Sequence, residues 1–492
     1  MSVLDYASAL KALTALTETK NLVLAKITGY DVSYISKWLN GSKLPATKYI
    51  EGVNEKLGTY FAEAAEQEGK EEELHTLLSL EAEREDLPFA VNQWLCAAYR
   101  ASMKTGRNRQ KEGAVSSVKV MTGTHDSLMF MQMLFRQKLS HVTADSNILI
   151  LDDFCALADI GFWNCFETAP QDVPHVTVHV GVDLDKLAAQ PRYMNQLYRL
   201  LDKKLNYDFR LYNAAHIAPA NAIIMEREFV IQYSFQSRSS IGICTYIPDP
   251  VLVEDIYNRF FISFTNQPAL LAPAKALGIS DIGFRTAFYS ASQFFFFLTN
   301  GFDFLLPQQA MDDFLQSISA SRQQARQIGH LRIMWDELLS TGHVEFLLPT
   351  TSIIRYIETG NMFFTDAPYR MKAEDRKLHL KNILQTMHKN PLITMGVFQP
   401  SAEMNEYHES NLSFYSNYSS AFLKKNPRYI HDGVSPIYIV SNKKLVDCFH
   451  AFFDKIKGLP TYRKFTYRDI SEQYEKYKGL VERTIDLYET TE

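Results

Sequence analysis

The chain has 492 residues, 46% hydrophobic and 22% charged, with a formal net charge of −5 and a pI near 6.3. That balance is the balance of a folded globular protein of about three domains. It excludes a polycation that coats nucleic acid with its whole surface, and leaves such contact to a local patch. Five scattered cysteines (Cys96, Cys155, Cys165, Cys244, Cys448) form no C-x-x-C pair, which points to a reducing compartment and away from a disulfide scaffold or zinc module. The N-terminus has no basic segment leading into an apolar block, so no signal peptide is expected. The most apolar run, Phe294 to Leu298, is too short to span a bilayer. A cytoplasmic location is the expectation.

Residues 1–62 read as a compact helical unit, with Leu4, Leu10, Leu13 and Leu16 at helical spacing. Asn21 to Thr28 forms a short helix. Gly29 follows where the chain must turn, and Asp31 is placed to cap a second helix, Val32 to Leu39, that buries Ile35 and Trp38. Asn40-Gly41 ends it, and Thr47 to Leu57 starts another helix. Val32, Ser33, Ser36 and Lys37 are left facing outward. They are small, polar or basic side chains of the kind a helix needs to enter a major groove. Residues 1–60 hold seven Lys against five acids.

The run TGYDVSYISKWLNGSKLP resembles the helix-turn-helix of the Cro/C1-type (XRE-like) repressor family over about 55 residues. The resemblance implies an all-α DNA-binding domain. It would place Val32, Ser33, Ser36 and Lys37, with Tyr34 among them, toward base edges. Asn21, Asn40 and Lys43 would lie on phosphates. Two positions depart from the family pattern: Asp31 stands where Ser or Thr is usual, and Val32 where Gln, Lys or Arg is frequent.

Residues 63–88 carry ten acids against Lys70 and Arg84 and read as an acidic helical linker, with Leu74, Leu77, Leu78 and Leu80 on one side. From residue 89 the texture becomes mixed α/β. Helical patterns at 89–103, 127–139 and 193–205 alternate with strand-like runs at 118–121, 147–151, 175–182, 209–212, 222–225 and 229–233. A basic loop, Lys104 to Lys111, parts the first helix from the first strand. Residues 266–340 read as a mostly helical connector that buries the Phe run. Residues 245–260 echo residues 438–453 at an offset of 193, matching Leu252, Val253 and Phe260 to Leu445, Val446 and Phe453, and Asp249 to Asn442. Two related α/β lobes are therefore expected, at 89–265 and 341–463, followed by a C-terminal helix over 464–492 that caps the body or pairs with a second subunit.

Candidates for chemistry in the body are sparse. His216 before a strand pair resembles one lobe of the phospholipase-D-like fold, whose chemistry needs His-x-Lys. Position 218 is not lysine, so the resemblance implies a non-catalytic lobe. The pairs His125-Asp126 and His431-Asp432 lack helper ligands. Asp152-Asp153 ends a strand, where α/β sheets place ligands. Arg107, Arg109 and Lys111 could meet an anion or a DNA backbone. No Walker loop, G-x-G-x-x-G or G-x-S-x-G is present, and no cofactor, metal or catalytic residue is assigned. The leading expectation is a sequence-specific transcriptional regulator, a repressor type acting as a homodimer on double-stranded DNA. Its body, not an enzyme, would sense a small-molecule or peptide effector in the aromatic core between the lobes. The alternatives are a DNA-targeted enzyme, nucleotide- or nucleic-acid-directed, with an active site in the body, and an interaction scaffold.

Overall fold

The computed structural model describes residues 5–46, 49–78, 86–109, 118–142, 144–170, 173, 175–217, 219–274, 282–299, 301–364, 367–399 and 410–490. It divides into two units, Met1–Val115 and Ser116–Glu492.

The first unit is helical: α1 (Tyr6–Leu16), α2 (Asn21–Thr28), α3 (Val32–Leu39), α4 (Ile50–Gln67), α5 (Glu71–Leu78) and α6 (Leu87–Arg109). Asp5 caps α1 through the Ser8 N–H (2.7 Å), and Asp31 caps α3 through the Ser33 N–H (2.8 Å). Gly29 between α2 and α3 takes φ 77°, the left-handed region open to glycine. Tyr6, Leu10, Leu13, Leu24, Ile35, Trp38, Leu57 and Phe61 share one core with Leu74, Val91 and Leu95. That last group corrects the domain plan. Residues 63–78, expected as a helical linker, are helical but belong to this unit: they are the end of α4, then α5, whose Leu74 is buried. Residues 79–85, including Leu80, lie outside the described residues. The helix expected to open the α/β body is α6 of this unit, tied in by the Tyr99 hydroxyl on the Pro45 carbonyl (2.7 Å). Its close approach to α4 needs Gly58, where a Cβ would stand 2.6 Å from the Pro88 carbonyl oxygen. The basic stretch is not a loop, since α6 runs to Arg109; Lys111 lies outside the described residues.

The second unit is a mixed α/β body. Its helices are α7 (Thr124–Leu139), α8 (Phe154–Asp159), α9 (Phe162–Glu167), α10 (Leu184–Ala189), α11 (Pro191–Lys203), α12 (Pro250–Thr265), α13 (Ile282–Tyr289), α14 (Gln308–Ser317), α15 (Arg322–Thr341), α16 (Thr350–Thr359), α17 (Ala373–Lys389), α18 (Lys443–Lys457) and α19 (Tyr467–Thr490). Its strands are β1 (Lys119–Thr122), β2 (Ser146–Asp153), β3 (Val176–Val182), β4 (Tyr207–Asn213), β5 (Ala222–Met225), β6 (Phe229–Ser237), β7 (Ser240–Ile247), β8 (Leu271–Ala274), β9 (Gln293–Phe297), β10 (His343–Pro349), β11 (Asn361–Phe364), β12 (Ala367–Arg370), β13 (Ile393–Phe398), β14 (Leu412–Ser416), β15 (Ala421–Lys425), β16 (Ile437–Val440) and β17 (Tyr462–Phe465). β11 and β12 pair apart. The rest form one 15-stranded sheet in the order β1-β7-β6-β5-β2-β3-β4-β8-β16-β15-β14-β9-β10-β13-β17.

That order contains one plan twice. In β7-β6-β5-β2-β3-β4-β8, three parallel strands (β2, β3, β4) are flanked by antiparallel β5, β6 and β7 on one side and antiparallel β8 on the other. In β16-β15-β14-β9-β10-β13-β17, the parallel strands β9, β10 and β13 are flanked in the same way. The β8–β16 pair joins the two. The echoed segments fall on equivalent elements, β7–α12 and β16–α18. Asp249 caps α12 and Asn442 caps α18.

The expected connector at 266–340 is corrected. It holds β8 and β9 as well as helices, and the Phe run is the first parallel strand of the second lobe. A short, wholly apolar run suits a strand buried on both faces. Its side chains alternate: Phe294 and Phe296 pack with Phe304 and Trp335, while Phe295 and Phe297 pack with Phe453. The second lobe thus begins near residue 293, not 341. Tyr198 of α11 stacks on Phe452 of α18, and their core runs through both lobes.

Candidate active site

β2 and β3 are buried on both faces and deliver their carboxyl ends to one edge of the sheet. There the register between them slips between Ile150 and Asp153, a bulge that turns the last residues of β2 out of the ladder. Two features hold the bulge. Gly181 opposite has no room for a side chain, since a Cβ would meet Ile217 Cδ1 at 2.9 Å and the Asp152 carbonyl oxygen at 3.1 Å. Asn221, facing the bulge from the start of β5, takes φ 44°, and its carbonyl accepts the Tyr233 N–H (2.9 Å).

The bulge presents two carboxylates with opposite surroundings. Asp152 accepts the Tyr233 hydroxyl (2.7 Å) and the Asp153 N–H (2.7 Å). Burial nonetheless outweighs these bonds and raises its pKa above the usual carboxylate range. Asp153 accepts the N–H groups of Cys155 (3.2 Å) and Asp183 (2.9 Å), and its second oxygen takes the Lys186 ammonium at 2.9 Å. Asp183 caps α10 through the Asp185 and Lys186 N–H groups and lies 3.5 Å from the same ammonium. Burial pushes Asp183 up, but the Lys186 N–H and charge hold it below its ordinary value. Burial likewise opposes the Lys186 charge, and the Asp153 bond overcomes it, so Lys186 titrates high. The edge therefore pairs a carboxyl biased toward its protonated form with a carboxylate bound by a cation. A buried carboxyl raised in this way is how proteins keep a proton donor available.

A groove of about 440 Å³ lies between α10, α11 and α18, lined by Leu187, Pro191, Met194, Asn195, Lys444 and Lys455 among others. It shares α10 with the Lys186–Asp153 pair.

Of the body's sequence candidates, only Asp152-Asp153 falls in such a place. Lys186, Asp183 and Tyr233 were missed. A signal for Asp183 was present, because it too follows directly on a strand. His125 and Asp126 sit in the first turn of α7, while His431 and Asp432 sit in the connection before β16. Among the described residues no group of three or more His, Cys, Asp or Glu is placed to hold a metal ion. His216 is in a short 3₁₀ turn after β4.

In the helical unit, Ser33, Tyr34, Lys37, Asn40 and Lys43 are exposed. The Lys37 and Lys43 ammonium groups stand 5.6 and 4.8 Å from the Tyr34 ring centre. Val32 is half-buried against the core rather than free, and the Asn21 amide donates to the Ser36 hydroxyl at 3.4 Å. Among the described residues no helix is long and apolar enough to cross a membrane.

No family model and no curated protein matches the sequence. Among solved structures, phosphatidylserine synthase from Haemophilus influenzae Rd KW20 matches at 10% identity over 78% of this chain and 99% of its own, with a TM-score of 0.26. Nuc from Salmonella typhimurium, a phospholipase D family member, matches at 10% identity over 31% of this chain and 97% of its own, with a TM-score of 0.22. TrmBL2, an archaeal chromatin protein, matches at 12% identity over 54% and 92% (TM-score 0.21). Polyphosphate kinase from Porphyromonas gingivalis matches at 9% identity over 75% and 53% (TM-score 0.21). The expectation of a transcriptional regulator and repressor with a non-enzymatic body is corrected by this company, in which the synthase and the kinase are enzymes and Nuc belongs to the phospholipase D family. At these TM-scores the likeness assigns no activity, and the chemistry is taken from the chain's own residues.

Proposed function

We propose that the α/β body is an enzyme acting on nucleotides or nucleic acid by acid–base chemistry at the carboxyl edge of its first lobe. The helical unit, by its Cro/C1-type resemblance, directs it to DNA. The observation that carries the proposal is the bulge at the end of β2, which sets a protonation-biased Asp152 beside an ion-paired Asp153.

Charge selects the end of the substrate. Asp153 and Asp183 oppose the single ammonium of Lys186, so the edge repels a phosphate and accepts the sugar–base end of a nucleotide. In the groove along α10, which Asp447 also lines, Lys455 and the Asp185-paired Lys444 are the cations for the phosphate. A carboxylic acid beside a carboxylate fits hydrolysis of a glycosidic bond. Asp152 gives its proton to the departing base as that bond breaks. Asp153 faces the positive charge that develops on the sugar. Water forms the new C–O bond, and its proton restores Asp152.

The test is incubation of the full chain with duplex DNA and, separately, with free nucleotides, with released bases followed by mass spectrometry. Asp152→Asn should slow release by about 100-fold or more. Activity should fall as pH rises through the elevated pKa of Asp152, because the acid form is the donor. Ser33→Glu/Lys37→Glu should impair the reaction on DNA and spare it on free nucleotides. Equal release by the parent and Asp152→Asn proteins, or none from either substrate, refutes the assignment.

A further inference from the structure

The carboxyl edge of the second lobe is built differently. Leu348 of β10 and Met395 and Val397 of β13 stand opposite α19, the helix that follows β17. Between α16, α17, α19 and the strands is a cavity of about 530 Å³. That is within the range of about 300–1,000 Å³ typical of small-molecule sites. This cavity belongs to the second lobe alone, unlike the groove between α10, α11 and α18, which lies where the lobes meet.

None of its lining residues carries a charge, and most are aliphatic or aromatic, among them Leu348, Ile383, Leu384, Val397, Phe465 and Val481. A charged guest would lose its hydration with nothing to replace it. The polar groups of the wall are largely engaged. The Ser352 hydroxyl donates to the Thr299 carbonyl (2.9 Å), the Thr350 hydroxyl to the Phe398 carbonyl (2.9 Å), and the Tyr356 hydroxyl meets His379 Nδ1 (2.5 Å). Gln473 and Tyr477 also line the cavity and are exposed; the Tyr474 hydroxyl on α19 differs from all of these. It is buried, lines the cavity and has no hydrogen-bond partner. An unpaired buried hydroxyl costs stability, and a ligand acceptor there would recover it. The helix that carries it is fastened beyond the cavity. Ile485 is fully buried, Lys377 pairs with Asp486 (2.7 Å), and the wholly buried Arg376 pairs with Glu489 (2.6 Å).

We infer that this cavity binds an uncharged, largely hydrocarbon small molecule bearing one hydrogen-bond acceptor, which takes the Tyr474 hydroxyl, with α19 as the wall that closes over it. The site is independent of the acidic edge of the first lobe.

The full chain is titrated with Nile red, an uncharged fluorophore, and the bound dye is then displaced with methyl nonyl ketone, a hydrocarbon chain with one acceptor. Saturable binding of one dye per chain is expected. Leu384→Trp, which fills the cavity, should weaken it about tenfold or more. Val481→Trp, on the opposite wall, should do the same, so one misfolded variant does not decide the matter. Tyr474→Phe should weaken displacement by the ketone about 3–10-fold. Absence of saturable binding overturns the inference. So does binding unchanged in both tryptophan variants when their circular dichroism and melting match the parent. Unchanged ketone displacement in Tyr474→Phe overturns the role given to that hydroxyl.

Discussion

Where the two lobes meet, Lys425 at the end of β15 and Asp208 in β4 are both buried, 0% and 1% exposed. The ammonium donates to Asp208 Oδ1 (2.9 Å) and to the carbonyls of Leu205 (2.9 Å) and Tyr207 (3.0 Å), and stands 4.5 Å from the Tyr438 ring centre. Asp208 also meets His175 (2.8 Å) and accepts the Ser435 N–H (3.3 Å). Burial disfavours both charges. It lowers the Lys425 pKa despite its partner, while for Asp208 the pull of Lys425 overcomes burial and keeps the carboxylate ionised. Asp208→Asn keeps the shape and removes the countercharge. Breaking a buried pair from one side costs about 3–5 kcal/mol, because the other charge is left behind without compensation. The cost should shrink as pH rises, since Lys425 can then shed its proton. The double change Asp208→Asn/Lys425→Met should cost less than the single, because no charge remains to be stranded. Urea unfolding followed by tryptophan fluorescence measures both. A single-variant loss below about 1 kcal/mol, or a double variant less stable than the single, would refute the claim that the pair is a buried ionic joint.

Gly58→Ala gains about 1 kcal/mol of helix propensity but drives a Cβ to 2.6 Å from the Pro88 carbonyl, an overpacking worth about 1–3 kcal/mol, so thermal unfolding should show a net loss in the helical unit. His179, His379 and His450 are held neutral by burial, at about 3, 4 and 4. The unfolded chain binds these protons first, so their contribution is complete above about pH 6.5 and is lost as pH falls toward 4. Acid titration of the unfolding free energy should show that decline, and a flat profile from pH 7 to about 4 would contradict it. Tyr233→Phe removes a donor that stabilises the ionised form of Asp152, so the Asp152 carbon resonance should titrate at higher pH than in the parent.

Local signals made much of the fold legible. The capped helices around Gly29, the strands 147–151, 175–182 and 222–225, and the Asp249/Asn442 equivalence each rest on a few neighbouring residues. What stayed hidden depends on distant packing. The acidic stretch looked solvated because ten acids dominate it, yet Leu74 is enough to seat α5 in the core. The Phe run has too few residues to tell strand from buried helix by period alone. Lys186 and Tyr233 join Asp152-Asp153 only through β3 and β6, and a cavity under α19 leaves no mark on a sequence whose lining residues read as ordinary core.

The two carboxyl edges show why one strand plan does not fix one chemistry. At equivalent places the first lobe ends β2 in Asp152-Asp153, and the second follows β9 with Leu298 and Thr299, whose N–H donates to the Ser413 hydroxyl at 3.1 Å. The first edge keeps its charges by answering them with Lys186 and backbone N–H groups. The second lobe keeps charge out of the cavity lining, although Asp303 and Lys424 pair nearby (3.4 Å), and holds there a space that an apolar guest can fill. An acidic edge can exchange protons with a substrate, whereas an apolar cavity can only hold its guest. The plan is shared because it is set by the alternation and burial of the strands; the residues just beyond the strand ends answer to no such constraint, and there the two lobes part.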